Sequence, residues 1–214
     1  DDIVLGIDPA LLCEHVAIDI GVSEVASLLV DSGAVDAAIL GGVSRLVVDC
    51  NRDEDAPGAI PIASDGHAIP GNALDHAGRE ERLDRFFRPY HAQIAATIAA
   101  HRPGMILSLH SFTPSLASDP AQQRPWHVGV LYNEDDRLAG PAIAALAAEG
   151  LNVGDQLPYS GKLLNATMNR HAEANRIPYV GIEMRQDLVR DTRGQALFAE
   201  QLSRKCSKVA LNLV

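Results

Sequence analysis

The stretch Met105-Ile106-Leu107-Ser108-Leu109-His110-Ser111 decides the predicted fold, because residues 105–109 form the clearest strand in the chain and polar residues follow at once. A second such strand is predicted at residues 179–184. Stretches whose apolar residues have helical spacing lie at residues 20–31, 80–101, 141–149 and 194–214. This alternation of strands and helices predicts one α/β domain over residues 1–214.

Further strands and a long loop complete the predicted element order. Short apolar runs predict strands at residues 10–13, 37–40, 46–50 and 126–132, and a helix is predicted at residues 164–175. Residues 52–78 are rich in Asp, Pro, Gly, Ala and His, which predicts an irregular loop. Long loops in compact domains are usually lids or binding segments.

Composition and charge limit the classes of partner. The 214 residues are 47% hydrophobic and 21% charged, as in an average globular protein, and carry a formal net charge of −10. A negative field disfavours a polyphosphate, so we expect no nucleic-acid partner. No apolar run approaches the roughly 18 residues of a membrane span, so we expect no membrane partner either. Three cysteines, Cys13, Cys50 and Cys206, form no even or closely spaced set, which predicts reduced, largely buried thiols in a cytoplasmic protein.

Polar residues follow four of the predicted strands. They are Glu14 and His15, then Asp49 with Asn51 and Arg52, then His110 and Ser111, and finally Glu183 and Arg185. Any one of these side chains taken alone is more often structural than functional. In open α/β sheets, however, reactive residues lie just past the carboxyl ends of strands. We therefore expect two imidazoles, several carboxylates and an arginine to meet in one cleft.

This set of side chains suits a hydrolytic zinc site. Catalytic zinc takes about three imidazole or carboxylate ligands and leaves one position for water. The ion lowers the pKa of that water to about 7, and a nearby carboxylate accepts its proton. The chain contains neither an HExxH nor a GxSxG motif, and its cysteines belong to no Cys/His signature. Hydrolysis by activated water is therefore favoured over a covalent mechanism.

The same residues lie in motifs that resemble those of a known enzyme family. The run Ser44-Arg45-Leu46-Val47-Val48-Asp49-Cys50-Asn51-Arg52 is similar to the signature of the N-formylglutamate amidohydrolases. Further matches follow in the expected order between positions 13 and 187. They are Cys13-Glu14-His15, Arg88-Pro89-Tyr90-His91, His110-Ser111-Phe112-Thr113-Pro114, Pro158-Tyr159-Ser160-Gly161 and Gly181-Ile182-Glu183-Met184-Arg185-Gln186-Asp187.

The resemblance implies a fold, a reaction and a set of roles. It implies a mixed sheet flanked by helices, as in zinc carboxypeptidases and aspartoacylases, with one Zn²⁺ at the edge of the sheet. It also implies hydrolysis of N-formyl-L-glutamate, a small anionic substrate, to formate and glutamate, as in histidine degradation. By position, His15 and His110 match imidazole ligands, and Glu183 matches the general base that then acts as general acid. Asn51 and Arg52 match a pair that holds a substrate carboxylate, a task that suits a guanidinium.

Three assignments keep alternatives. The third metal ligand is Asp19, in the segment Asp19-Ile20-Gly21 that matches the family, or else Glu14; Asp19 also suits a helix N-cap. Arg185 is either a second carboxylate clamp or an ion-pair partner of Glu183 or Asp187. Tyr159 either donates a hydrogen bond to the oxyanion of the tetrahedral intermediate or packs its loop.

Other functions with the same scaffold also stay open. They are hydrolysis of another N-acylamino acid or of a peptide C-terminus, and ligand binding without catalysis. One departure from the family concerns the two motifs Cys13-Glu14-His15 and Asp19-Ile20-Gly21, which nearly abut here, whereas family members have a longer loop between them. The sequence does not predict an oligomeric state.

Overall fold

The computed structural model describes residues 3–211 of the chain, and side chains as far as residue 204. Its α-helices are α1 (Val22–Asp31), α2 (His76–Arg82), α3 (Arg88–His101), α4 (Ala139–Ala147), α5 (Ala166–His171) and α6 (Thr192–Leu211). Its strands are β1 (Ala63–Ser64), β2 (His67–Ala68), β3 (Ile106–Phe112), β4 (Val128–Leu131), β5 (Val153–Asp155) and β6 (Tyr179–Arg185). A π-helical turn, Leu83–Phe87, joins α2 to α3, and short 3-10 helices occupy Pro9–Cys13, Pro57–Ala59, Pro70–Asn72, Glu173–Asn175 and Gln186–Leu188.

Local chemistry sets several of these boundaries. Asp75 caps α2, because its carboxylate accepts a hydrogen bond of 2.8 Å from the backbone N–H of Gly78. Helix α3 ends at His101, because its C-cap residue Arg102 has a left-handed φ of 46° and Pro103 follows directly. A single capping residue thus marks the start of α2, and two consecutive residues mark the end of α3.

A mixed four-stranded sheet forms the centre of the fold. Its strand order is β3-β6-β4-β5, with β3 parallel to β6, β6 antiparallel to β4 and β4 parallel to β5. A separate two-stranded hairpin joins β1 to β2. The predicted α/β fold with a mixed sheet and flanking helices is confirmed.

Side chains that alternate along β6 point in turn to the hydrophobic core and to the opposite face of the sheet. Val180, Ile182 and Met184 of β6 are buried in one cluster with residues of α1, α4 and α6. Successive side chains on a strand point to opposite faces, so Gly181 and Glu183 lie on the other face. Helices α1, α4 and α6 therefore cover one side of the sheet, and the other side carries Glu183 as well as Tyr179, against which α5 packs.

Three predicted strands are wrong. Residues 10–13 lie in the 3-10 helix Pro9–Cys13, and residues 37–40 and 46–50 form no strand. The apolar run Leu46, Val47 and Val48 is nevertheless buried. Its backbone bonds are those of a turn, since the N–H groups of Val47 and Val48 both donate to the carbonyl of Ser44. Burial alone therefore accounts for the apolar character of this run.

Two further sequence expectations concern thiols and membranes. Cys13 is an exposed free thiol, Cys50 is a half-buried one, and the side chain of Cys206 lies outside the described residues. Among the helices of residues 3–211, none has the length and apolar character needed to cross a bilayer.

The fold requires a glycine at position 129 on β4. A Cβ at this position would lie 2.3 Å from the carbonyl oxygen of Leu157. Because that atom belongs to the backbone, the loop around it would have to move. We expect Gly129→Ala to lower the free energy of unfolding by about 1–3 kcal/mol, measured by denaturant unfolding.

Gly140 of α4 provides the matched control. A Cβ there would meet no atom within 4 Å, so Gly140→Ala is expected to be neutral or to stabilise by up to about 1 kcal/mol. A Gly129→Ala variant as stable as the parent protein would contradict the steric argument.

Candidate active site

His110 and Glu183 lie side by side on neighbouring strands. They are direct partners in the parallel β3–β6 pair, and Gly129 of β4 is the partner of Glu183 on its other side. The three residues share the face of the sheet opposite the helical core. Because Gly129 lets the carbonyl of Leu157 approach, the loop that carries Tyr159 lies against the sheet beside Glu183.

Asp19 joins His110 to Arg45. Its Oδ2 lies 2.7 Å from Nδ1 of His110, and its Oδ1 accepts a hydrogen bond from the guanidinium of Arg45. Asp19 does not cap α1, whose N-cap residue is Gly21. Asp19, Arg45 and His110 all line one cleft of 1410 Å³ that runs beside β3. A carboxylate–imidazole pair therefore faces a space large enough for a small substrate.

Burial and neighbouring charges shift the pKa values of this group. Burial raises the pKa of Glu183 to about 7, although the positive charges of His110, Arg45 and Arg124 oppose the shift. Burial would lower the pKa of His110, but the hydrogen bond and charge of Asp19 raise it to about 9. At neutral pH the site therefore holds a protonated imidazole beside a carboxyl group that exchanges its proton readily.

Arg124 and Tyr159 form a contacting pair near Glu183. Arg124 is only 5% exposed, and its Nη1 donates a hydrogen bond of 2.8 Å to the hydroxyl of Tyr159. The guanidinium carbon lies 4.9 Å from the centre of the Tyr159 ring, in a cation–π contact. Two cationic side chains, Arg45 and Arg124, thus act on the charge of Glu183.

Asn51 and Arg52 lie in a loop that is fixed from several directions. The backbone N–H of Thr167 donates to Oδ1 of Asn51 at 3.1 Å, and the hydroxyl of Thr167 donates to the carbonyl of Cys50 at 3.0 Å. A ring nitrogen of His91 lies 3.1 Å from the same carbonyl. Arg52 pairs with Asp49 at 3.3 Å. Asn51 lines the same cleft as His110, so the predicted substrate-binding loop lies at the same cleft as the predicted chemistry.

Comparison with known proteins then decides the family. A family model for N-formylglutamate amidohydrolase matches residues 3–190, which is most of the chain. The chain belongs to the N-formylglutamate amidohydrolase family. The predicted resemblance is confirmed, and membership of this family makes the chain an amidohydrolase.

One solved structure supports the fold of this family member. It is similar to the crystal structure of the gene product Atu2144 from Agrobacterium tumefaciens, with 32% sequence identity and a TM-score of 0.85 over 97% of this chain and 83% of that one. It also has 22% identity to the N-formylglutamate amidohydrolase from Ralstonia eutropha JMP134, with a TM-score of 0.49 over 64% of this chain and 54% of that one. The second similarity is too weak to carry an argument. No curated protein matches the chain.

Of the residues predicted to bind zinc in this amidohydrolase, Asp19 and His110 contact each other, whereas His15 bonds to a different carboxylate. Nε2 of His15 lies 3.0 Å from Asp65, whose carboxylate also accepts hydrogen bonds from the backbone of Ala117 and Ser118. Glu14 is exposed. Over the described residues, no group of three His, Cys, Asp or Glu side chains is arranged to hold a metal ion. Asp19 is held between His110 and Arg45, and zinc binding by His15, Asp19 and His110 stays a prediction.

The structure also gives the contacts of Arg185 and Tyr159, two residues whose roles the sequence left open. Arg185 donates to Asp187 at 2.8 Å and to the carbonyl of Pro125 at 3.3 Å, which is the ion-pair arrangement. Tyr159 contacts Arg124 beside Glu183, a place compatible with contact to a ligand as well as with packing.

Sequence reasoning missed two arginines of the site. Arg45 is part of the run matched to the family, so its position in that motif was an available signal. Arg124 lies in the polar run Gln122-Gln123-Arg124-Pro125, where nothing local distinguishes it from a surface residue. Its burial arises only from the packing of loops on the sheet.

Proposed function

We propose that this amidohydrolase cleaves the formyl amide of N-formyl-L-glutamate and releases formate and glutamate. The observation that carries the proposal is the buried carboxyl of Glu183, with its pKa raised to about 7, directly beside the protonated imidazole of His110. A group with that pKa both accepts and returns a proton near neutral pH.

The local charge supports an anionic substrate in spite of the overall charge of −10. Arg45 and Arg124 lie near Glu183, and His110 is held protonated by Asp19. Arg52 adds a partly exposed guanidinium at the loop beside Asn51. Cationic groups inside a cleft attract a carboxylate more strongly than the distant negative surface repels it, because salt screens exposed charges beyond about 10 Å.

The reaction follows from the roles that these side chains can perform. Ionised Glu183 takes a proton from a water molecule while the water oxygen bonds to the formyl carbon. The protonated His110 and the Arg45 guanidinium stabilise the negative charge that develops on the former carbonyl oxygen. Glu183 then returns its proton to the amide nitrogen as the C–N bond breaks, so formate and the free amino group of glutamate leave.

Zinc dependence stays a prediction of the family resemblance. When bound, zinc would supply a more acidic water and polarise the carbonyl. Of the predicted ligands, Asp19 and His110 already contact each other, and His15 bonds to Asp65. A cytoplasmic location and a place in histidine degradation also stay predictions.

The test is direct assay of product release. Purified protein is incubated with N-formyl-L-glutamate, and formate and glutamate are measured separately, with and without added zinc and with and without a chelator. We expect equimolar formation of the two products. If neither product forms under any of these conditions, the proposed reaction is wrong. Full turnover after chelation, with metal content verified by elemental analysis, would contradict only the zinc prediction.

A further inference from the structure

Arg124 differs from the other buried arginine of the described chain. Arg82, which is 7% exposed, donates hydrogen bonds to the carbonyl oxygens of Val47 and Gly71 and to the side chain of Asn72. Arg124 is 5% exposed, and its guanidinium makes one described hydrogen bond, to Tyr159. Its buried Nε has no partner among the described residues. The fold therefore uses the donors of Arg82 and leaves the buried Nε of Arg124 without a partner among the described residues.

The charge of Arg124 is also uncompensated. Among the ion pairs of the described residues, none includes Arg124, although its charge acts on the carboxyl of Glu183. An unpaired charge removed from water is costly, so buried cations are normally matched by an anion. An anion supplied by the substrate would match it.

Tyr159 contacts the guanidinium of Arg124 and adds a second donor. Its ring lies 4.9 Å from the guanidinium carbon, and its hydroxyl oxygen accepts the hydrogen bond of Arg124. In the part of the chain that is described, the Tyr159 hydroxyl donates its own proton to no acceptor. A planar guanidinium with an adjacent phenol O–H matches the two oxygens of a carboxylate.

We infer that Arg124 and Tyr159 together bind one of the two carboxylates of a dicarboxylic N-acyl amino acid, an inference that rests on the proposed function. Asn51, which lines the cleft, and the neighbouring Arg52 are then left for the other carboxylate. Arg124 is a specificity-determining residue under this assignment, because it distinguishes a dicarboxylic substrate from one with a single carboxylate.

The experiment compares three substrates in the parent protein and in Arg124→Gln. They are N-formyl-L-glutamate, N-formyl-L-glutamine and the α-amide of N-formyl-L-glutamate. We expect Arg124→Gln to lower kcat/KM for N-formyl-L-glutamate by about 100-fold, because charge-assisted hydrogen bonds are lost. For one of the two amides the loss should shrink to a few-fold, and that amide identifies the carboxylate. An equal loss with all three substrates would overturn the inference.

Two controls separate recognition from folding. Arg82→Gln removes a buried guanidinium of similar exposure outside the cleft, so any effect should be the same for every substrate. Arg124→Lys keeps the charge and is expected to recover part of the discrimination, which a purely structural role would not produce.

A further experiment distinguishes failure of the proposed reaction from failure of the carboxylate-site inference. If the parent protein cleaves none of the three compounds, the proposed function is wrong. Binding of glutarate, a simple dicarboxylate, is then measured by calorimetry. Binding that Arg124→Gln abolishes still supports the carboxylate site, and binding that is unchanged in Arg124→Gln overturns it.

Discussion

Replacing Glu183 by Gln is expected to lower kcat for N-formyl-L-glutamate by roughly 10² to 10⁴-fold, the range for loss of a general acid–base group. Gln is nearly isosteric and can still bind substrate, so KM should change little. The parent protein should also show kcat/KM rising with pH through about 7, because Glu183 must be ionised to accept a proton and its pKa is raised to about 7. That rise should disappear in the residual activity of Glu183→Gln.

Stability gives an independent measurement on the same variant. A carboxyl whose pKa is raised from 4.5 to about 7 on folding stabilises the protein below pH 4.5 and loses that contribution as pH rises through 7. Glu183→Gln should therefore unfold no more easily than the parent protein at pH 8. Glu200→Gln, at an exposed residue of α6, is the control and should leave turnover unchanged. Activity of Glu183→Gln within tenfold of the parent would rule out the acid–base role.

Asp19→Asn is expected to lower kcat/KM by about 100-fold, because the imidazole beside the reacting carbonyl loses its positive charge. Asp19 is the side chain that raises the pKa of His110 to about 9, against the effect of burial. Without that carboxylate, His110 should be neutral at pH 7. Arg45 loses its carboxylate partner at the same time.

The measurement follows the His110 imidazole by NMR titration in metal-free protein, together with steady-state kinetics. The midpoint of His110 should move down from about 9. Asp84→Asn serves as control, because Asp84 is 68% exposed and pairs with Arg88 on the surface. If the midpoint stays near 9 in Asp19→Asn, another group protonates His110 and the assigned role of Asp19 is incorrect.

Much of the site was predictable from the ends of two strands. The apolar runs before His110 and Glu183 are long enough to be recognised, and their polar terminal residues do meet on adjacent strands. Asp19 was placed beside His110 by its match to the family motif, and the structure brings those two side chains into contact.

The features of the site that the sequence did not predict depend on contacts between distant segments of the chain. His15 is bonded to Asp65, fifty residues away, and no pattern near either residue indicates that pairing. Arg124 is buried and contacts Tyr159, which lies 35 residues further along the chain, so this is again a long-range effect. The predicted strand at 46–50 was wrong for a related reason, since buried apolar residues in a turn have the same composition as a buried strand.

The pairing of His110 with Glu183 has a consequence for how this enzyme family can diversify. The separation of the two groups is set by hydrogen-bonded backbone, so substitutions in the loops leave it unaltered. Arg124 and Tyr159, in contrast, belong to loop segments that tolerate insertion and exchange. Relatives that act on different acylated amino acids should therefore retain the paired strands and vary in the two loops, so that new substrates arise without rebuilding the reaction centre.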